Sequence, residues 1–388
     1  MKTLVITNLY PSARQPTRGM YNVSMVCALA RHTDVRLIAP LPWWSRLRQP
    51  AELFVAPRES ATGIDACFPT YWSFPGRQSM HGEAMYRSLR ARVRAIRREF
   101  PFDAILAAWA YPDAYAAGRL AAEFRCPLVT NVLGSDVNAF GSRPGIAHLV
   151  RQALGWSHSV VAVSDALKER IVALGIAPER VVVQHNGVDG AVFTLQDRLA
   201  RRRSLGLPEH RKIVLYVGNW VEEKGVDVLV EAAGRLARTG SRDMLVALVG
   251  GGPREPAMRS AVERLGISDL VLFAGRKPHS EIPDWMAASD LFCLPSLREG
   301  CPNVVLESLS CGRPVVASRV GGIPELLDDE KGIMPPPGDP DALAAAIVDT
   351  LSRDWSAEAL RESVRDKSWE TVGRVYYEAL AGAVASRS

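Results

Sequence analysis

The chain has 388 residues, more than one hydrophobic core usually organises, so its length favours two domains. Hydrophobic residues make up 47% of it and charged residues 23%, a globular composition that excludes a disordered or collagen-like chain. The formal net charge of +5 is mild and suits an anionic partner without indicating which one.

Neither the first residues nor the cysteines indicate an exported protein. The opening sequence MKTLVITNLYP lacks the basic region, apolar core and cleavage site of a signal peptide. No run approaches the roughly 20 apolar residues that span a bilayer. The six cysteines form no C-x-x-C pair, and no Cys/His cluster has zinc spacing. We therefore expect free thiols, no metal site, and a cytoplasmic protein that is soluble or peripheral on the inner face of the cell membrane.

Short apolar runs alternate with amphipathic segments from end to end. Continuous apolar strands separated by helical patterns, such as Ser164–Leu174 and Lys224–Arg238, are typical of parallel sheets covered on both faces. The fold class is therefore α/β, with right-handed crossovers between strands. Strands are predicted at Thr3–Thr7, Val35–Ala39, Ala104–Ala107, Leu128–Val132, Ser159–Val163, Val181–Gln184, Ile213–Val217, Met244–Val249, Leu270–Phe273, Leu291–Leu294 and Pro314–Ala317.

A polar, arginine-rich stretch, Gly190–Lys212, separates the two halves of the chain. Its charge run is typical of a solvated linker helix. We predict one Rossmann-like domain over residues 1–190, a second over 191–367, and a C-terminal helix over 368–388. Two doubly wound domains would place a ligand in the cleft between them, at the carboxyl ends of the strands.

The strongest signal for chemistry is the decapeptide REGCPNVVLE, residues 298–307. It follows the predicted strand Leu291–Leu294, and Pro302 fits the first turn of a helix, where its missing N–H costs nothing. The amides of Asn303 and Val304 would then point toward an anion.

Two glutamates flank this helix start. Glu299 lies in the loop before the helix and Glu307 lies a turn or two inside it. Two carboxylates at this spacing could hold two groups of hydroxyls on one elongated ligand. Taken alone, they are better explained as ordinary surface residues, but the surrounding segments reverse that preference.

The surrounding segments form a family pattern. They are VGN at 217–219, EKGVD at 223–227, CGRPVVAS at 311–318, GGIPE at 321–325, VSDALK at 163–168 and NGVD at 186–189. Together with the paired glutamates, they resemble family 4 of the retaining glycosyltransferases over essentially the whole chain. No single piece is specific, but the combination is.

The resemblance implies a GT-B fold, with two facing Rossmann-like domains, a cleft between them and a last helix that crosses back to the first domain. It implies transfer of a hexose, with retention, from a UDP- or GDP-sugar to a glycan or lipid-linked acceptor. A place in surface or extracellular polysaccharide assembly follows by analogy. Neither a cofactor nor a metal is expected. In the front-face mechanism favoured for the family, the donor phosphate helps to take the acceptor proton.

The resemblance also assigns residues. Lys224 would neutralise the leaving diphosphate, Glu299 would contact hydroxyls of the transferred sugar, and Asp136, in a GSD segment, would orient an acceptor or sugar hydroxyl. These three are the predicted catalytic residues. The donor would be bound by Lys224 together with Gly19, Gly218, Asn219, Gly300, Cys301, Asn303, Val304 and the ribose-binding Glu307.

Two positions depart from the family pattern. Asn219 stands where many members have arginine as a second phosphate-binding cation, and either Arg18 or Arg276 would have to replace it. Leu133 stands where many members have histidine, which argues against histidine-assisted chemistry there. We expect these departures to change the subfamily, toward bacterial polysaccharide transferases, and not the activity.

Three other functions are compatible with parts of the sequence. A nucleotide-sugar epimerase would use the same scaffold but would need no acceptor. A non-catalytic nucleotide-sugar-binding protein is suggested by Asn219. A dehydrogenase is the weakest alternative, because the Gly250–Gly252 run lacks the G-x-G-x-x-G spacing.

A basic amphipathic helix is predicted over Arg87–Arg98. Two interpretations remain open: a surface helix packed on its apolar stripe, or attraction to an anionic membrane surface at about 1 kcal/mol per arginine. Nucleic acid is not expected, because no binding motif accompanies the charge. The basic face holds Arg87, Arg90, Arg94 and Arg97, the apolar face holds Met85, Leu89, Ile96 and Phe100, and a second membrane-facing patch is predicted at Trp43, Trp44, Arg46 and Arg48.

Overall fold

The computed structural model describes residues 1–11, 18–46, 63–138, 141, 143 and 145–387. The chain divides into two compact units. The first unit contains Met1–Asn186 and Trp369–Ser388, and the second contains Gly187–Ser368. Arg48, from the second predicted membrane patch, and the side chain of Arg46 lie outside the described residues.

The first unit is built on a seven-stranded parallel sheet of order β4-β2-β1-β6-β7-β8-β9. The strand order reverses between β1 and β6, and in doubly wound sheets such a reversal marks the ligand-binding edge. Beyond the ends of β2 and β4, a two-stranded sheet pairs β3 with β5. The strands are β1 Lys2–Ile6, β2 Asp34–Ile38, β3 Leu41–Pro42, β4 Asp65–Cys67, β5 Thr70–Tyr71, β6 Ala104–Ala107, β7 Leu128–Val132, β8 Ser159–Ala162 and β9 Val181–Val183.

Helices cover both faces of this sheet. Leu4 and Ile6 of β1 join a core cluster with residues of α2 and α3, whereas Val5 joins a second cluster with residues of α1. This division follows from the period of two along a strand. The helices of this part are α1 Met20–Leu29, α2 His81–Glu99, α3 Tyr115–Phe124, α4 Ser135–Asn138, α5 Ala147–Trp156 and α6 Asp165–Ala173.

The second unit contains a six-stranded parallel sheet of order β12-β11-β10-β13-β14-β15. Counted from its own first strand this is 3-2-1-4-5-6, the Rossmann order, with the reversal between β10 and β13. The strands are β10 Lys212–Asn219, β11 Met244–Gly251, β12 Val271–Gly275, β13 Leu291–Leu294, β14 Val315–Ala317 and β15 Gly332–Ile333. The helices are α7 Arg198–Leu205, α8 Val226–Arg238, α9 Glu255–Arg264, α10 Ile282–Ala288, α11 Asn303–Ser310, α12 Pro340–Ser352 and α13 Ala357–Glu362.

The last helix, α14 (Trp369–Ala385), returns to the first unit and packs on α1. Val372, Tyr376 and Leu380 enter the same core cluster as Val5. Gly373 lets the two helices approach closely, because an added Cβ would lie 2.5 Å from the Ala28 carbonyl oxygen.

All eleven predicted strands are present, and each end lies within two residues of its predicted position. The sequence analysis missed β3, β4, β5 and β15, which have only two or three residues each and therefore no readable apolar run. Among the described residues, no helix is long and apolar enough to cross a membrane.

The expectation of a solvated arginine run is wrong for Arg202. This residue of α7 is 3% exposed. Its guanidinium pairs with Asp290 at 2.5 Å and donates to the carbonyl oxygens of Ala288, Glu209 and Arg211. Burial of the arginine is tolerated because these donors are matched by acceptors.

Candidate active site

In the second unit, the loops that follow β10 and β13 lie side by side, because these two strands pair where the strand order reverses. The backbone N–H of Leu297, after β13, donates to the carbonyl oxygen of Glu223, after β10, at 2.8 Å. The two sequence motifs EKGVD and REGCPNVVLE are therefore joined in space.

Gly225 makes this approach possible. It adopts a left-handed conformation, with φ of 60°, between the turn Glu222–Lys224 and the start of α8. An added Cβ would lie 2.0 Å from the carbonyl oxygen of Pro295, so only glycine fits. Its place in the sequence, directly after Lys224, fixes that lysine at the edge of the sheet.

Lys224 and Glu299 form an ion pair. The Lys224 Nζ lies 2.6 Å from Glu299 Oε1, and Ser296 Oγ donates to the same oxygen at 2.7 Å. The Glu299 side chain is 7% exposed and that of Lys224 is 31% exposed. The buried carboxylate is thus neutralised, while the partly exposed ammonium, with three donors, keeps capacity for a second anion.

A second cation lies at the end of the neighbouring strands. The Arg276 guanidinium, which follows β12, donates to the Gly251 carbonyl oxygen at 2.9 Å and to Asn219 Oδ1 at 3.3 Å. Gly218 and Asn219 end β10 and pair with the end of β11. Arg276, one of the two arginines considered as replacements for a family arginine at position 219, thus contacts Asn219 directly.

The start of α11 lies one residue later than predicted. Pro302 is extended, with φ of −77° and ψ of 111°, and caps a helix that begins at Asn303. Asn303 and Val304 therefore occupy the first turn, where amides have no acceptor within the helix. Gly300 precedes this turn, and its carbonyl oxygen accepts from the N–H of Gly322 at 2.9 Å, which ties the GGIPE segment to the loop. The Cys301 side chain is buried.

Glu307 lies inside α11, as predicted, and has a partner that the sequence did not reveal. Glu307 is 8% exposed, and its Oε1 lies 3.5 Å from Nε2 of His279. The interaction with Glu307 raises the pKa of His279, and burial only partly opposes this effect. Nothing in the sequence predicts the role of His279, because it has no metal-site spacing and no local motif marks this pair.

In the first unit, the loops after β1, β6 and β7 gather several polar residues. Gly19 starts α1 in a left-handed conformation with φ of 66°, and an added Cβ would lie 2.3 Å from the Leu9 carbonyl oxygen. Asn22 Nδ2 donates to that same oxygen at 2.8 Å. The described contacts of Gly19 are thus with the protein's own loop, and its role in binding a donor stays a prediction.

Asp136 connects two of these loops. Its carboxylate is fully buried and accepts from the amides of Leu133 at 3.0 Å, Gly134 at 2.8 Å and Ala110 at 3.0 Å. Burial raises the pKa of Asp136 to about 6, against the effect of these hydrogen bonds. The three partners are all backbone groups, so the geometry describes a positioning role. Its predicted contact with a sugar or acceptor hydroxyl stays a prediction.

A second buried carboxyl group, Asp113, was missed by the sequence analysis. Its Oδ2 accepts from the Asn8 amide at 2.7 Å, while Oδ1 has no partner among the described residues. Burial raises the pKa of Asp113 to about 8, and Asp136 acts in the same direction, against Asn8 and Arg18. The one available signal was an acidic residue shortly after the predicted strand Ala104–Ala107.

Helix α2 confirms the predicted apolar face. Met85, Leu89 and Ile96 are buried in the core. All four arginines of the predicted basic face meet carboxylates or a ring: Arg90 and Arg94 pair with Glu123, Arg87 pairs with Glu83, and the Arg97 guanidinium lies 4.4 Å from the Phe102 ring centroid. Attraction of this helix to an anionic membrane stays a prediction. Over the described ranges, no group of three His, Cys, Asp or Glu side chains is placed to hold a metal ion.

Comparisons with known proteins show the family and the fold of the chain. The family model "Glycosyltransferase Family 4" matches residues 19–191, and "Glycosyl transferases group 1" matches residues 211–353. The chain is 30% identical over 392 residues to TuaC of Bacillus subtilis, a glycosyltransferase assigned to teichuronic acid biosynthesis, covering 96% of this chain and 94% of that protein.

Solved structures show the same architecture. HepE of Anabaena in complex with UDP superposes with a TM-score of 0.77 at 21% identity, covering 98% of this chain and 100% of HepE. Sucrose-phosphate synthase of Thermosynechococcus elongatus gives a TM-score of 0.80 at 19% identity, with both chains fully covered. At these identities the likeness shows the fold alone.

The two parallel α/β sheets are those of the GT-B fold. The family matches make the protein a glycosyltransferase that uses a nucleotide sugar. The chain belongs to glycosyltransferase family 4, and it is a retaining enzyme.

Proposed function

We propose that this enzyme transfers a hexose from a UDP- or GDP-sugar to a glycan or lipid-linked acceptor in the assembly of a surface or extracellular polysaccharide. The observation that carries the proposal is the joined pair of loops after β10 and β13, which brings Lys224 and Glu299 within 2.6 Å of each other. These loops lie at the strand-order reversal of a Rossmann sheet, where nucleotides bind in this class of fold.

The residues of the second unit suit the departure of a diphosphate. Lys224 is partly exposed and offers donors beyond the one that Glu299 takes. Arg276 adds a second positive charge at the ends of β10 and β11, so the loss of the family arginine at Asn219 does not remove the second cation. Positive charge that is already in place where negative charge develops lowers the barrier to leaving-group departure.

Two carboxylates would then hold the two ends of the donor. Glu299, beside Lys224, would bind hydroxyls of the transferred hexose, and Glu307, further along α11, would bind those of the ribose. The first turn of α11, with Asn303 and Val304, would face the phosphates. No enzymic nucleophile is needed if the donor phosphate takes the acceptor proton.

The acceptor class is supported by relatives. TuaC carries a name from teichuronic acid biosynthesis, and the chain spans 94% of its length. The choice of a uridine nucleotide is supported by HepE, whose structures hold UDP and UDP-glucose. We further propose a cytoplasmic location, peripheral on the inner face of the cell membrane, as expected from the sequence.

Donor binding is tested first by thermal shift with a panel of UDP- and GDP-sugars on wild type and Glu307→Ala. We expect one nucleotide to raise the wild-type midpoint selectively, and the shift to disappear in the variant. Glu263→Ala, an exposed glutamate of α9, is the control and should keep the full shift. If no nucleotide sugar shifts the wild type, the proposed donor class is wrong.

Turnover is tested with the donor so found. Lys224→Ala should lower kcat by at least about tenfold, because the developing charge on the diphosphate loses its cation. Lys212→Ala removes an exposed lysine at the start of β10, the strand that precedes Lys224. Its kcat should stay within about twofold of wild type. Full activity in Lys224→Ala would contradict the site. Consumption of donor without any acceptor would indicate an epimerase, and donor binding without turnover would indicate a non-catalytic binding protein.

A further inference from the structure

Glu307 is a nearly buried carboxylate that forms an ion pair with a histidine from another element. It lies on α11, whereas His279 lies in the turn His279–Glu281 that precedes α10. A carboxylate with little access to water needs donors to remain ionised. The His279 imidazolium supplies a positive charge instead, with Nε2 at 3.5 Å from Oε1.

The distance between the two groups shows that this contact leaves capacity unused. A separation of 3.5 Å is longer than an N–H···O hydrogen bond of about 2.7–3.2 Å, so His279 attracts Oε1 as an ion-pair partner without occupying one of its acceptor positions. A carboxylate offers about four acceptor positions on two oxygens. The Glu307 carboxylate therefore retains acceptors for further donors.

The approach to these acceptors is open on the histidine side. The His279 side chain is 48% exposed, against 10% for that of Glu307. The His279 ring also meets the edge of Phe193, with ring centroids 5.5 Å apart, which restricts its orientation. The charged groups that act on His279 are Glu307 and, more weakly, Asp189. Both favour the imidazolium.

We propose that His279 is a positioning residue for the nucleotide site: it holds one oxygen of Glu307, so that the ionised carboxylate faces the two vicinal hydroxyls of a ribose. The inference deepens the proposed function and rests on it. Vicinal hydroxyls form a paired donor that matches a carboxylate, and a 2′-deoxyribose offers one donor fewer. His279 is thereby a determinant of selection between ribonucleotides and deoxyribonucleotides.

The consequence is a ratio of two affinities, which a general loss of stability would not change. Loss of a hydrogen bond to a charged group weakens binding by about tenfold or more, so wild type should bind UDP at least about tenfold more tightly than 2′-deoxy-UDP. In His279→Ala this ratio should fall below about threefold, because Glu307 loses its fixed orientation. In His279→Gln, which keeps a donor but carries no charge, the ratio should stay within about twofold of the wild-type ratio at pH 9, where the imidazole is uncharged as well.

The ratio should also depend on pH. Below the raised pKa of His279 the imidazolium attracts Glu307 most strongly, so discrimination is largest there. Above that pKa the charge is lost and the wild-type ratio should decline. His279→Gln does not titrate, so its ratio should stay constant across the same range.

Calorimetric titration of the full chain with UDP and 2′-deoxy-UDP, at pH 6 and pH 9, tests these points; GDP and 2′-deoxy-GDP are used if GDP is the nucleotide bound. The proteins are wild type, His279→Ala, His279→Gln, Glu307→Gln and the exposed control His210→Ala. The expected result is loss of discrimination in His279→Ala and Glu307→Gln and full retention in His210→Ala. His279→Gln should show the pH 9 ratio of wild type at both pH values.

The outcomes separate the two proposals. If the wild type binds neither UDP nor GDP, the proposed function fails. If the wild type discriminates and Glu307→Gln does not, but His279→Ala still does, the role of His279 is overturned while the function stands. Equal weakening of UDP and 2′-deoxy-UDP in His279→Ala would assign His279 to structure alone, and would equally overturn the inference.

Discussion

Single carboxyl groups in the two units stand in opposite environments. Glu299 is buried but is paired with the Lys224 ammonium. Asp113 is buried with one oxygen unpartnered among the described residues, and the neighbouring Asp136 disfavours its charge. Burial raises the pKa of Asp113 to about 8, with no ion pair to it among the described residues, so this carboxyl group is mostly protonated in the folded protein at neutral pH.

The protonation of Asp113 predicts a pH-dependent loss of stability. In the unfolded chain an aspartate titrates at about 3.9, whereas the folded value is about 8. Between these pH values the folded state holds one more proton, so its unfolding free energy falls as pH rises, by at most about 1.4 kcal/mol per pH unit from this group, and levels off above the folded pKa. Asp113→Asn keeps an acceptor for the Asn8 amide and does not titrate.

The measurement is urea unfolding of wild type and Asp113→Asn from pH 5 to pH 9. The advantage of wild type over the variant should shrink as pH rises toward 8. Asp103→Asn, at an exposed acid before β6 in the same unit, controls for a general effect of removing a carboxylate. Parallel curves for wild type and Asp113→Asn would show that Asp113 is ionised in both states.

Whether a candidate site residue could be predicted from the sequence depends on whether it lies in a local motif. Lys224, Glu299 and Glu307 could be named in advance, because their neighbours in sequence form the pattern. His279 could not, because its partner is 28 positions away and the contact exists only after α10 and α11 pack. Asp113 could not either, since its burial depends on loops from three separate strands.

Helices with a periodic apolar pattern over many residues could be predicted from the sequence, whereas contacts between separate elements could not. The apolar stripe of α2 follows the helical period, so the sequence identified its buried face correctly. The ion pairs of its arginines could not be predicted, because Glu123 belongs to α3 and contacts Arg90 and Arg94 only in the folded unit. The start of α11 was misplaced by one residue, since Pro302 suits both the cap and the first turn.

Helix α2 should contribute to stability through its apolar face more than through its charges. Leu89 is fully buried, and Leu89→Ala should cost about 2–5 kcal/mol by leaving a cavity. Arg98→Ala, on the exposed side of the same helix, should stay within about 0.5 kcal/mol. Hydrogen exchange of β1 and β6 amides, which reports on the first unit, distinguishes the two variants. A cost in Arg98→Ala as large as that in Leu89→Ala would contradict this assignment.

Across the whole molecule, the chain leaves the first unit at Asn186, builds the second, and returns at Trp369. Short apolar runs sufficed to predict two parallel sheets, because each buried strand is marked along the sequence. The prediction that α14 belongs to the first unit came from the family resemblance, because an amphipathic pattern does not indicate which sheet a helix covers. Its packing on α1 depends on Gly373, where the Ala28 carbonyl oxygen leaves no room for a side chain.

This path predicts that stability of the first unit and nucleotide binding in the second respond separately to changes in α14. Tyr376 is 2% exposed within the core of the first unit, so Tyr376→Ala should lower that unit's unfolding free energy by about 3–5 kcal/mol. Apart from Gly19, the residues predicted to bind the donor belong to the second unit, so the affinity for UDP, or for GDP if that is the nucleotide bound, should stay within about twofold. Hydrogen exchange of β1 amides measures the first effect and calorimetry the second, with the exposed Glu378→Ala of the same helix as control. A large loss of nucleotide affinity in Tyr376→Ala would mean that the nucleotide site depends on the first unit. No change in the stability of the first unit would mean that its core does not need α14.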